Sequence, residues 1–214
     1  IGGGDAVHPG PIGQTLMAWA VLKGLGASAE VARAALDAGS GKATASVGCR
    51  VSNVKSAGGG VSFDRADDAL PMPIDERAET ALKYAPVQDE LNRYELQVTG
   101  LAPGQYDVTI DGELAGKVSA DDLAKGWNLA NAPGPIRKQA REVLKLVFEK
   151  NDVYFKRWRE VQLFTGPGWL QGKELETKRS SELARMDKRI AELESQIDKA
   201  RKLHTHHFVV KPAA

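Results

Sequence analysis

A single cysteine, Cys49, in 214 residues excludes an intrachain disulfide framework. It has no histidine near it in sequence, so it reads as a half-buried strand residue rather than a catalytic thiol. No hydrophobic run is long enough to cross a membrane; the apolar stretch at residues 16–22 is too short. Charge of one sign is also missing. A net charge of +1 provides no field to gather nucleic acid or anionic lipid, so neither is expected as a partner. Gly39-Ser40-Gly41-Lys42 looks like a phosphate loop but lacks its other parts: Leu36 stands where the first glycine belongs, and Ala43 follows the lysine in place of Ser or Thr. His204, His206 and His207 do not complete a metal site either. On a strand only His204 and His206 share a face, and no Cys, Asp or Glu lies among them. Neither a metal nor a cofactor is therefore expected. Hydrophobic content of 42% with 27% charged residues is that of an ordinary globular chain, with room for one large or two small domains.

What is present starts near the N-terminus. Gly4-Asp5-Ala6-Val7-His8-Pro9-Gly10-Pro11-Ile12-Gly13 runs into the apolar stretch Gln14-Thr15-Leu16-Met17-Ala18-Trp19-Ala20. A carboxylate thus precedes an imidazole by three residues in a Gly/Pro loop. A turn of that spacing brings two side chains to one side. Asp5 would then hold Nδ1–H of His8 and leave Nε2 facing outward as a general base. The plain alternative is that Asp5 caps a turn and His8 is an ordinary loop histidine.

Asp5-Ala6-Val7-His8-Pro9, followed by Gly13 and an apolar helix, resembles the last sequence block of the SGNH (GDSL-type) hydrolases. The resemblance covers about the first 26 residues. It implies that Asp5 and His8 are catalytic and lie at the tail end of a flavodoxin-like α/β domain. It also implies a serine nucleophile in a Gly-Asp-Ser block and an oxyanion asparagine in a Gly-x-Asn-Asp block. This chain has no Gly-Asp-Ser, and its Asn151-Asp152 follows Glu149-Lys150 inside a helical pattern. With Ile1 in place of an initiator methionine, the expectation is a C-terminal portion of a longer esterase. It would carry the acid–base pair, with the upstream half of the same protein as its partner. The remainder resembles, more loosely, a C-terminal extension of bacterial SGNH-like proteins, and a secreted or periplasmic parent is one option. The implied substrate is an ester, with acylated carbohydrate favoured by analogy. Ser40, Ser52 and Ser62 would matter only if residues 1–39 packed into a complete domain with a serine near His8 Nε2, and none sits in a nucleophile-type turn. The alternative is a non-catalytic interaction or scaffold protein.

Along the chain the pattern predicts an α+β protein. A helix at about residues 11–23 begins at Pro11 and ends at Gly24 and Gly26. Ile12, Leu16, Met17, Trp19, Val21 and Leu22 leave it almost no polar face, so it needs cover on several sides. Ser28 caps an expected second helix, residues 29–38, with Val31, Ala35 and Leu36 as its buried stripe. Strands are expected at 43–54 and 61–64 around Gly58-Gly59-Gly60, and Asp75 caps a short helix at 76–84. Residues 94–98 and 106–110 alternate about a Gly/Pro turn as a hairpin, and Asp111-Gly112 turns into a strand at 113–118. This rhythm resembles sandwich modules appended to secreted bacterial enzymes. Trp127, Tyr94 and Tyr106 are then either a sugar-stacking platform or core.

Two long helices, 135–164 and 171–202, follow. The first carries an apolar stripe that includes Tyr154 and Trp158. Leu183, Met186, Ile190, Leu193 and Ile197 give the second a coiled-coil seam, so the pair is expected as an antiparallel helical hairpin. Residues 203–211 read as a terminal strand. The expected division is residues 1–39 as the end of a hydrolase domain, 40–130 as a small antiparallel β module, and 131–214 as the helical hairpin with its strand.

Overall fold

The computed structural model describes residues 7–167, 169 and 172–213. The chain is α+β and divides into two units: Ile1–Ala140 together with Leu203–Ala214, and Arg141–Lys202.

The first unit is built on two sheets. One has the order β2-β1-β5-β8, from β1 (Glu30–Asp37), β2 (Lys42–Val47), β5 (Arg93–Thr99) and β8 (Trp127–Asn128). The other has the order β3-β4-β9-β6-β7, from β3 (Cys49–Ala57), β4 (Gly60–Asp67), β6 (Gln105–Ile110), β7 (Glu113–Ser119) and β9 (Thr205–Pro212). Period-two burial explains how they combine. Ala32, Ala34 and Leu36 of β1 and Tyr94, Leu96 and Val98 of β5 face one core. Val61 and Phe63 of β4, Val108 and Ile110 of β6, and Phe208 and Val210 of β9 meet them there. Phe63 and Phe208 stack with ring centroids 5.1 Å apart. Tyr94 and Tyr106 are core residues and Trp127 packs against the same cluster, so they form no exposed platform.

Three expectations are corrected here. Residues 29–38 are not helical: Glu30–Asp37 is strand β1, antiparallel to β2 and parallel to β5. Its alanines have no strand preference of their own; a place between two strands, with alternate residues entering the core, overrides propensity. The module is consequently not purely antiparallel. The segments at 94–98 and 106–110 do not form a hairpin either. β5 has both hydrogen-bonding edges occupied, by β1 and β8, and β6 therefore pairs in the other sheet with β7 and β9. The run expected at 43–54 is broken at Gly48, which has φ +60° and sits where a Cβ would lie 2.4 Å from the carbonyl oxygen of Val31. Only glycine allows this step, and it sends β2 and β3 into different sheets. Gly58-Gly59 does make the β3–β4 turn, and Asp111 and Gly112, both with positive φ, make the β6–β7 turn.

Helix α1 (Pro11–Gly24) packs beside a smaller apolar cluster, placing Leu16 and Trp19 against Ile74, Ala78, Ala85 and Val87. These come from the 3-10 helix Glu76–Lys83, capped by Asp75, and from α2 (Val87–Leu91) with the residues flanking them. No residue of α1 is fully buried, and Met17, Val21 and the adjoining Leu25 are 59%, 59% and 78% exposed. A short α3 (Ala120–Lys125) is capped by Ser119, which accepts from the Asp122 amide.

α4 (Pro135–Lys156) begins in the first unit, where Ile136 joins the core, and continues into a π-helical segment, Arg157–Gln162. In the second unit it lies beside α5 (Lys173–Ala200). Glu149 meets Arg189 at 3.8 Å and Arg157 meets Asp187 at 2.6 Å, so the helices run antiparallel. Met186 and Leu193 are buried as the seam requires. Tyr154 and Trp158 are exposed rather than on that seam. Among the described residues no helix is long and apolar enough to cross a membrane.

Candidate functional site

His8 stands in a bend three residues before Pro11, the first residue of α1, and is exposed. Pro9, Gly10 and Pro11 lead straight into the helix, whose first turn closes by the Gln14 amide donating to the Gly10 carbonyl at 2.9 Å. Pro11 at the first helical turn has a fixed φ and no amide hydrogen to satisfy. The loop is thus a rigid lead into α1. Asp5 lies outside the described residues, and with it the pairing of Asp5 and His8.

α1 is itself held at a defined point. Trp19 Nε1 donates to Glu90 Oε2 at 2.9 Å, and Lys23 Nζ lies 2.9 Å from Glu90 Oε1. The bond from Lys23, and then that from Trp19, keep the Glu90 carboxyl below the usual glutamate range. The sequence gives no sign that Glu90 meets α1, because Trp19 and Glu90 are 71 positions apart.

The other candidates are dispersed. Ser40 lies in the β1–β2 turn, where its amide donates to Asp37, while Ser52 is on β3 and Ser62 on β4. Cys49 is buried, its Sγ donates to the Arg33 carbonyl at 3.2 Å, and burial pushes its thiol up. That is the opposite of what a nucleophilic thiolate needs. His206 points into the unit and pairs with Asp111 at 2.7 Å; His207 faces outward and pairs with Asp64 at 2.7 Å. Among the described residues no three His, Cys, Asp or Glu side chains are grouped to hold a metal. A glycine-lined cleft of about 390 Å³, between Ala38, Ser56, Gly59 and Gly100, has no charged side chain in its lining.

The most charged buried group is structural. Arg65 is fully buried beneath the Tyr94 ring, 4.2 Å from its centroid. Its Nε donates to Asp67 at 2.7 Å and its Nη1 to the Glu95 carbonyl at 2.9 Å, across to the other sheet. Asp67 also accepts from the Tyr94 hydroxyl, and burial pushes that phenol up. The signal for this group was in the sequence: Phe63, Arg65 and Asp67 alternate on one strand face.

No family model and no curated protein matches this sequence. The architecture does match part of a solved enzyme that metabolises a small molecule. That enzyme is BT4096, a gut microbial diltiazem-metabolizing enzyme, 26% identical with a TM-score of 0.79. The match covers 97% of this chain and 55% of that one, so this chain spans about half the length of BT4096.

Proposed function

We propose that this chain is the C-terminal portion of an SGNH-type ester hydrolase and supplies Asp5 and His8 to its catalytic triad. The observation that carries the reading is α1. It is apolar nearly all round, follows His8 after Pro9-Gly10, and among the described residues is covered on one side only, with Met17, Val21 and the adjoining Leu25 left open. A helix of this kind belongs under further cover. In this reading the cover is the α/β body of the hydrolase domain, which brings the serine and the oxyanion donors. The match to part of a longer enzyme that metabolises a small molecule supports it. In this reading the hydrolase domain ends within residues 1–39, and the membership of β1 in a sheet of the first unit supports an end ahead of that strand.

The chemistry assigned to these residues is that of a triad. His8 Nε2 accepts the serine proton as the hydroxyl attacks the ester carbonyl, then returns a proton to the departing alkoxide. Water, deprotonated by the same nitrogen, releases the acid. Asp5 holds Nδ1–H and stabilises the imidazolium that forms in each half-reaction. The substrate is a small-molecule ester, with acylated carbohydrates the leading candidates by analogy. The competing reading, a non-catalytic interaction protein, draws on the exposed aromatics Tyr154, Phe155, Trp158 and Trp169 of the second unit.

The test is p-nitrophenyl acetate hydrolysis by the 214-residue chain and by the full-length protein, each with His8→Ala alongside. The chain alone should show no His8-dependent turnover. In the full-length protein, His8→Ala should lower kcat by roughly 10³-fold or more. His8-dependent turnover by the short chain would overturn the missing-nucleophile account. Equal rates for full-length wild type and mutant would favour the interaction protein.

A further inference from the structure

We propose that Glu90 is a positioning residue for the His8 loop, and that the β-sheet unit is the brace through which it acts. This rests on the reading of His8 as catalytic.

The apolar contact of Leu16 and Trp19 with Ile74, Ala78, Ala85 and Val87 holds α1 down but is non-directional, and leaves the helix free to roll or slide. Glu90 removes both freedoms. Its two oxygens take Trp19 Nε1 and Lys23 Nζ, each at 2.9 Å, from positions one helical turn apart on a single face. A carboxylate bonded at two points on one helix sets its roll and its axial register, and bonds to an ionised acceptor are the stronger kind.

The anchor behind Glu90 is firm. Asn92, fully buried, ends α2 and grips Met72 from both sides, accepting from its amide at 2.8 Å and donating to its carbonyl at 2.9 Å. Asn128 of β8 donates to the carbonyls of Gln88 and Asn92 and accepts from the Tyr94 amide. A continuous set of hydrogen bonds therefore runs from β5 and β8 through α2 to Glu90 and on to α1. At the far end of α1, Gly10 closes the first turn two residues after His8. The first unit thus acquires a role that needs no ligand: it fixes where the imidazole stands. A catalytic group misplaced by about 1 Å loses on the order of 10²-fold in rate.

Two measurements test this. The first is amide hydrogen exchange on the 214-residue chain, comparing Glu90→Ala and Glu90→Gln with wild type. Glu90→Ala should speed exchange along α1 by about tenfold while β1, β5 and β9 keep their protection, and Glu90→Gln should recover part of the loss. Unchanged α1 exchange would overturn the proposal whatever the enzyme does. The second is kinetics of the full-length protein, where Glu90→Ala should lower kcat about 10- to 100-fold with KM unchanged. A normal kcat, in a protein that His8→Ala inactivates, would overturn the positioning role and leave the esterase reading standing. If His8→Ala is also without effect, the reading of His8 is wrong and the positioning role is overturned with it, even where α1 exchange has responded.

Discussion

Arg65 shows how one buried residue ties the two sheets together. It sits on β4, bonds Asp67 of its own strand, and reaches the Glu95 carbonyl of β5. Removing one partner from such a pair leaves an uncompensated buried charge. Asp67→Ala should therefore cost about 3–5 kcal/mol in urea unfolding. Replacing both residues by apolar ones of similar volume should cost far less, because the desolvation of both charges disappears with their attraction. The surface carboxylates act through pH. Bonds from Asn53 and then His207 hold Asp64 below the usual aspartate range. At Asp111 burial pushes upward, but bonds from the His206 ring and the His207 amide prevail and lower it. A lowered carboxyl stabilises the fold fully above its unfolded value, near 4, and loses that contribution as pH falls through the folded value. Thermal unfolding followed from pH 7 down to about 2.5 should show a decline below about pH 4 that is smaller in Asp64→Asn and Asp111→Asn.

At the scale of elements, the legible features were those decided within a few residues. Asp75 as a cap, Gly58-Gly59 and Asp111-Gly112 as turns, and the long helices all follow from local backbone chemistry. β1 was not legible, since Glu30–Asp37 shows helical spacing as readily as alternation and its partner β5 is distant in sequence. Gly48 has the sequence neighbours of a strand residue, yet it is the point at which the chain changes sheets. Gly48→Ala should destabilise the fold by about 1–3 kcal/mol, from the positive φ and the clash with Val31. Gly24→Ala, into open space at the end of α1 and with no positive φ, is the control and should leave the melting temperature unchanged or slightly raised. Of the candidate site, the local part, His8 ahead of a Pro-started helix, could be read directly. Glu90 could not, because nothing near residue 90 indicates which helix it meets.

For the whole molecule the decisive strand is the last. β9 returns after the helical unit and lies between β4 and β6, bonded on both edges, with Phe208 and Val210 in the core. A chain ended at Lys202 loses the strand that joins β3-β4 to β6-β7. Its circular dichroism should lose the cooperative β transition, and Phe208→Ala should cost about 3–5 kcal/mol in the full 214-residue chain. Retention of a cooperative β transition after truncation would mean that the two strand pairs close on each other without β9.

The sequence by itself determined where the chain turns, which segments are long helices, that these 214 residues form no disulfide among themselves, and that a histidine precedes an apolar helix. Each of these follows from one residue type or from a few neighbouring residues. Tertiary structure alone decided which strands pair, which sheet each joins, and what holds α1. Backbone edges are chemically alike in every strand, so pairing is settled by which faces can be buried together. Glu90 likewise gains its partners only when α2 is set against α1.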